Sequence, residues 1–172
     1  MMAALLLFGT SAAAAETAAG VSWTAPAGWT KGPDRPMRAA TYSVTAAPGD
    51  TAAGECVVNF FGAGQGGSVQ DNIERWKGQF QGSDGKPAVP KVGTRTVRGL
   101  KVTTVDTSGV YSGMGGPMAT SPRSVPNYRL LGAIVEAPGG TVFFKFTGPA
   151  STIASNAAKF DQLLASLTPQ AK

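Results

Sequence analysis

Residues 62–80 read GAGQGGSVQDNIERWKGQF, from Gly62 to Phe80. A glycine-rich turn runs straight into a capped amphipathic helix, and that transition decides the fold. Ser68 is a favoured N-cap, and Asp71 follows three residues on, a weaker form of the capping box. Asp71 and Glu74 lie in the first turns, where the helix dipole favours negative charge. Val69, Ile73, Trp76 and Phe80 recur at i, i+4, i+7 and i+11, one apolar stripe of a 3.6-residue period. The stripe makes Trp76 a core anchor rather than a ligand platform. Gly78 lowers helix propensity by about 1 kcal/mol relative to alanine, so the helix is expected to end near Phe80 to Gly82.

Upstream of this helix, Trp23–Trp29 (WTAPAGW) reads as an extended segment with a proline turn, and Arg38–Thr45 as a strand. Glu55–Phe61 is a further strand. Cys56, Val58 and Phe60 alternate with Val57, Asn59 and Phe61, and both faces are apolar enough to be covered. Cys56 is then a small buried hydrophobe. Downstream, a polar loop over 81–90 leads to strands at Lys91–Val97 and Leu100–Thr107, joined tightly at Arg98-Gly99. Ser108–Asn127 reads as a long irregular connection, with Val110 and Tyr111 able to extend the strand before it. Tyr128–Glu136 and Thr141–Thr147 flank Ala137-Pro138-Gly139-Gly140, the clearest hairpin of the chain. A final helix starts after Pro149, carries the stripe Ile153, Ala157, Phe160, Leu164 and Leu167, widened by Leu163, and stops at Pro169.

Runs of neighbouring strands with few helices imply an α+β fold, a mainly antiparallel sheet with helices packed on its faces. The opening W-T-A-P-A-G-W, the mid-chain helix and the closing F-T-G-P…F-D-Q-L-L-A-S-L resemble the PsbP-like, or Mog-like, α/β/α sandwich over about residues 21–168. NIERWKGQF together with RLLGAIVEAPGGTVFFKFTGP is similar to uncharacterised exported bacterial proteins of that superfamily. The resemblance implies one domain over 21–168 and a short tail at 169–172. It also implies a non-catalytic binding or assembly factor, the role of most members, which include an extrinsic photosystem subunit and a binder of a small GTPase. It supplies no catalytic motif to carry over.

Composition narrows the chemistry. The 172 residues suit one domain with a core of its own. There is no histidine, which removes Ser-His-Asp and Cys-His catalysis and HExxH zinc sites. A single cysteine cannot form an internal disulfide. Only ten acids are present, scattered and without a calcium-loop pattern, so no catalytic residue, metal ligand or cofactor is assigned. Residues 1–15, MMAALLLFGTSAAAA, carry an apolar run and an A-x-A pattern at Ala13–Ala15, and read as a secretory signal peptide. No Lys or Arg precedes the run, and a misassigned start codon would explain that. The expected location is periplasmic or extracellular, with no membrane span. Fifteen Lys and Arg against ten Asp and Glu give a net charge of +5. Lys91, Arg95, Arg98 and Lys101 form the one basic cluster, read as a solvated sheet edge rather than a nucleic-acid surface.

GAGQGG lacks the lysine of a P-loop and the downstream acid of a dinucleotide fingerprint, so the turn itself accounts for its glycines. The candidate partner-binding residues are Tyr111, Met114, Met118 and Arg123, since methionines in a glycine-rich loop offer an adaptable contact surface. The partner class is an unidentified protein or cell-envelope component. The alternative is a carrier of a small molecule or envelope ligand, with a pocket between sheet and helix lined by Trp76, Phe80, Tyr42 and Phe143. A third reading is a histidine-independent hydrolase using Ser or Asp with Lys as base, for which the sequence nominates no pair.

Overall fold

The structure is a computed structural model that describes residues 15–113 and 124–171. The elements are β1 (Ala15–Ala18), β2 (Val21–Thr24), β3 (Thr30–Lys31), β4 (Arg38–Val44), β5 (Gly54–Phe60) and α1 (Val69–Lys77). They continue with β6 (Phe80–Gln81), β7 (Lys91–Val97), β8 (Leu100–Tyr111), β9 (Val125–Ala137) and β10 (Gly140–Pro149). The chain closes with α2 (Ala150–Ser155), α3 (Ala157–Ala165) and β11 (Thr168–Pro169).

The main sheet runs β3-β4-β5-β10-β9-β8-β6, with β7 also paired to β8, and every pairing is antiparallel. A small antiparallel sheet, β1-β2-β11, lies apart from it. The fold is therefore α+β, as the strand runs predicted. The 98–99 turn is tight because Arg98 and Gly99 both take positive φ, 45° and 83°, the backbone of a two-residue hairpin turn. The β9–β10 hairpin closes on Pro138-Gly139, with Ala137 opposite Gly140.

Alternation along the strands divides the interior into two cores. One face sends Val102, Ala133, Val135, Phe144, Phe146, Cys56 and Tyr42 toward Trp23, Phe160 and Leu163. There Trp23 meets Phe144 edge-on at 5.3 Å and donates Nε1–H to the Tyr42 hydroxyl at 2.9 Å. The opposite face sends Phe143, Ile134, Leu130 and Val105 under α1. Cys56 is fully buried, and burial pushes its thiol up, out of the reactive range.

The helix starts as its cap predicts. Ser68 Oγ accepts from the Asp71 N–H at 3.1 Å, and Asp71 Oδ2 accepts from the Ser68 N–H at 3.2 Å. The Ser68 hydroxyl also donates to Asp71 Oδ2 at 2.6 Å, and this bond, with that from the Ser68 N–H, holds the Asp71 carboxyl below the usual carboxylate range. The helix ends earlier than expected, at Lys77 with Gly78 as C-cap. Phe80 belongs instead to β6, where pairing with Tyr111 outweighs helix continuation, and it is still buried. Buried Asn72 is absent from the apolar stripe; its amide donates to the Gly66 and Ser68 carbonyls and ties the glycine turn to the helix.

Two further expectations are corrected. The irregular stretch over 108–127 is shorter: β8 runs on to Tyr111 and β9 begins at Val125. The final helix is two helices broken at Asn156, whose side-chain amide turns back onto the Thr152 carbonyl. The first turn of α2 is capped from outside, since Asp50 Oδ2 accepts from the Thr152 N–H at 2.9 Å and from its hydroxyl at 2.6 Å. The β7 cluster is an exposed edge, but not all of it is free: Arg95 meets Asp161 at 3.2 Å, and Arg98 donates to the Ala165 and Leu167 carbonyls.

Trp76 is 2 % exposed and lies on Gly132 of β9. A Cβ at Gly132 would fall 2.3 Å from the indole Cζ3. Trp76→Ala should therefore cost roughly 3–5 kcal/mol through the cavity it leaves. Gly132→Ala should cost about 1–3 kcal/mol through overpacking. Urea unfolding at unchanged slope checks both, and stability within about 0.5 kcal/mol of wild type for either variant would remove the contact from the core.

Candidate functional site

On the α1 face, strand register builds three rows across the sheet. Asn59, Phe143 and Ile134 form the first, and Val57, Lys145 and Gly132 the second. Glu55, Thr147 and Leu130 form the third. The helix covers the β9 side of these rows. The β5 side stays open, because α1 is only nine residues long and the chain leaves it directly into β6. The result is a groove of about 590 Å³, walled by β4 and β5 on one side and by Tyr111, Gly113 and Tyr128 on the other. The expectation that both faces of the 55–61 strand are covered thus holds for the Cys56–Val58 face only; Val57 and Asn59 line the groove.

The pocket expected between sheet and helix is filled. Trp76, Phe80 and Phe143 are buried together in the α1-side core. Tyr42 belongs to the opposite core, because residue parity on β4 points it away from α1. The cavity lies beside the helix instead of beneath it.

Lys145 sits at the centre of the groove. Its Nζ donates to Gln79 Oε1 at 2.7 Å and to the Tyr111 hydroxyl at 3.2 Å, and lies 5.5 Å from the Tyr111 ring centroid. Both acceptors are neutral. Among the described residues no carboxylate lies within ion-pair distance of Lys145, whereas Lys31, Arg38, Lys77, Arg95, Lys101 and Arg129 each have one. Burial is the main reason its ammonium is pushed down to about 8, and Arg75 adds like-charge repulsion that Glu55 partly offsets.

The aromatic wall is held by its own stacking. Tyr111 and Tyr128 lie parallel within 4°, with centroids 5.7 Å apart, and Phe80 meets Tyr111 at 4.9 Å. A register shift between Gly109 and Tyr111 turns the end of β8 so that Tyr111 pairs with Phe80 of β6. Gly109 is required there: a Cβ would meet the Gln81 carbonyl oxygen at 2.1 Å. Burial raises the Tyr111 phenol above its ordinary value. At the rim, Arg38 reaches Glu55 at 3.6 Å and donates to Thr41 Oγ1 at 3.3 Å.

Of the candidates named from sequence, Tyr111 lies in the groove wall, 6 % exposed, facing Lys145. Met114, Met118 and Arg123 lie outside the described residues. The sequence reading missed Lys145, Tyr128 and the Arg38–Glu55 rim pair. One signal was available: in VFFKF, Lys145 is the only charge in a strand with phenylalanines at 143, 144 and 146, and a lysine in such a setting must bury much of its stem. No group of three or more acids or cysteines placed to hold a metal occurs among the described residues.

Lys145 makes stability depend on pH with a definite sign. Its folded-state value near 8 lies below the unfolded value of 10.5, so between these limits the unfolded chain binds the proton the folded chain has released. Stability from this group therefore rises with pH across that window, and its full cost is present below pH 8. Lys145→Met should be more stable than wild type by about 1–2 kcal/mol near neutral pH, with the difference vanishing by pH 10.5. Denaturant midpoints across pH measure it; a Met variant less stable at neutral pH would contradict the burial cost.

No protein-family model matches the chain, and no curated protein matches it in sequence. Solved structures do match in shape. The solution structure of cyanobacterial PsbP (CyanoP) from Synechocystis sp. PCC 6803 aligns with a TM-score of 0.56 at 11% identity, covering 98% of each chain. The crystal structure of PA94 from Pseudomonas aeruginosa, a protein of unknown function and putative regulator, aligns with a TM-score of 0.51 at 14% identity. That alignment covers 77% of this chain and 83% of the other. The resemblance seen in the two ends of the sequence and its mid-chain helix is thus a resemblance of the whole backbone, and the fold of this chain is PsbP-like.

Proposed function

We propose that this chain is an exported, non-enzymatic binding or assembly module, and that its binding surface is the groove around Lys145. One observation carries the reading: a half-buried ammonium whose hydrogen-bond partners among the described residues are both neutral stands in an open cavity. A cation that lowers the stability of the free protein in this way is what a binding site for a negatively charged partner requires. The candidates Met114, Met118 and Arg123 follow Gly113, a residue of the groove lining, in the sequence. Export is supported by the apolar run and A-x-A pattern of residues 3–15. No helix among the described residues is long and apolar enough to cross a membrane.

Lack of catalysis is supported by the surroundings of Lys145. Its hydrogen-bond partners are Gln79 and Tyr111, and neither serine nor aspartate lines the groove. The serine or aspartate that a hydrolase with lysine as base would use is therefore not among the described residues of this lining. A second reading, a carrier of a small ligand, is favoured by the volume of the groove, which falls in the range of small-molecule sites. Its site is then the open sheet face, not the space under α1.

Affinity capture from a periplasmic or secreted fraction tests the proposal. Wild type should retain a partner that Lys145→Glu loses, because the substitution reverses the charge at the centre of the groove. A variant lacking residues 114–123 should recover less of it. Equal recovery by all three proteins, each confirmed folded by its urea transition, would rule the groove out as the partner surface.

A further inference from the structure

We propose that the groove receives a small organic monocarboxylate, its carboxylate on Lys145 and its planar or short apolar body between Val57 and the tyrosine wall. The inference rests on the binding reading above and names the ligand chemistry.

Charge comes first. An ammonium has three N–H donors, and among the described residues two are used, on Gln79 and Tyr111. One donor is left for a ligand. The groove lining contains two cations, Arg38 and Lys145, and one acid, Glu55. Arg38 and Glu55 answer each other at the rim, which leaves a single uncompensated positive charge among the described lining residues. A monoanion neutralises it. A phosphate dianion would bring one charge too many into a half-enclosed site, and desolvating it is expensive.

Shape comes second. Val57 and Ala53 supply apolar surface on one side, and Tyr128 and Tyr111 supply ring surface on the other. The rings are fixed by their own stacking and by Phe80, so the wall needs no ordering when a ligand enters. A flat or short apolar body fits between such walls, while Asn59 and Thr147 in the lining keep the site partly polar.

Protonation gives the proposal a signature of its own. The groups facing Lys145 are Gln79 after α1, Tyr111 of β8, Tyr128 of β9, Glu55 of β5, Arg38 of β4 and Arg75 of α1. Of the charged groups among these, only Glu55 favours the ammonium form. A carboxylate at hydrogen-bond distance favours the ammonium form, so binding must draw a proton onto Lys145 when the pH is at or above 8.

Benzoate is the probe, titrated calorimetrically into the full chain at about pH 8.5, in two buffers of different ionisation enthalpy. Saturable binding with proton uptake is expected, together with weakening as pH rises further. Lys145→Gln should weaken it by about ten- to hundredfold, the worth of a hydrogen bond to a charged group. Neutral benzamide should not compete. Inorganic phosphate and a short glutamate-containing peptide form the comparison arms, separating a small acid from a phosphate or a partner's side chain. The proposal fails if benzoate does not bind, if Lys145→Gln binds it as well as wild type, if no proton is taken up, or if phosphate or the peptide binds more tightly. Failure here, with partner capture still lost in Lys145→Glu, would leave the binding reading standing and replace only the ligand class.

Discussion

The indole of Trp76 rests on the bare backbone of Gly132, and the whole α1 face is arranged by that contact. Large and flat, the ring ties the helix to β9 across that glycine. Ile73 and Phe80 then fall against Ile134, Leu130 and Phe143. A helix anchored over β9 and ending at Lys77 cannot also reach β5. The open groove is thus the remainder of the face once the helix has been placed, and its position follows from a single glycine.

Lys145 shows how local strand grammar sets chemistry. It stands opposite Val57 on one side and Gly132 on the other, between two core phenylalanines that point the other way. Parity leaves it no choice of face. The glycine at its neighbour and the indole above that glycine remove water from one flank, while Gln79 and Tyr111 satisfy two of its protons. The same features that stabilise α1 therefore raise the cost of charging the lysine beside it.

The long strands, the α1 cap and the β9–β10 hairpin were legible because each is written within a few residues. Ser68 and Asp71 lie three apart, and the Pro138-Gly139 turn lies between two alternating runs. What was not legible depends on residues far apart in sequence. Phe80 leaves the helix because Tyr111 offers it a strand partner, and the last helix breaks where Asn156 bonds back onto Thr152. The groove was hidden for the same reason. Its walls come from β4, β5, β8, β9 and β10, and nothing in any one of those segments announces a cavity. Trp76, Phe80 and Phe143 were correctly grouped as neighbours and wrongly supposed to leave space between them. Packed together with Leu130 and Ile134, these aromatic side chains fill it.

The two cores share β10 residue by residue. Val142, Phe144 and Phe146 serve one, while Phe143, Lys145 and Thr147 face α1 and the groove. Adding or losing one residue there would exchange the sets, burying an ammonium among Trp23, Trp29 and Cys56. Such a change is ruinous, whereas a substitution at 145 or 147 leaves the packed side intact. Over evolutionary time this strand can therefore alter the chemistry of its groove by exchange of side chains, but not by change of length.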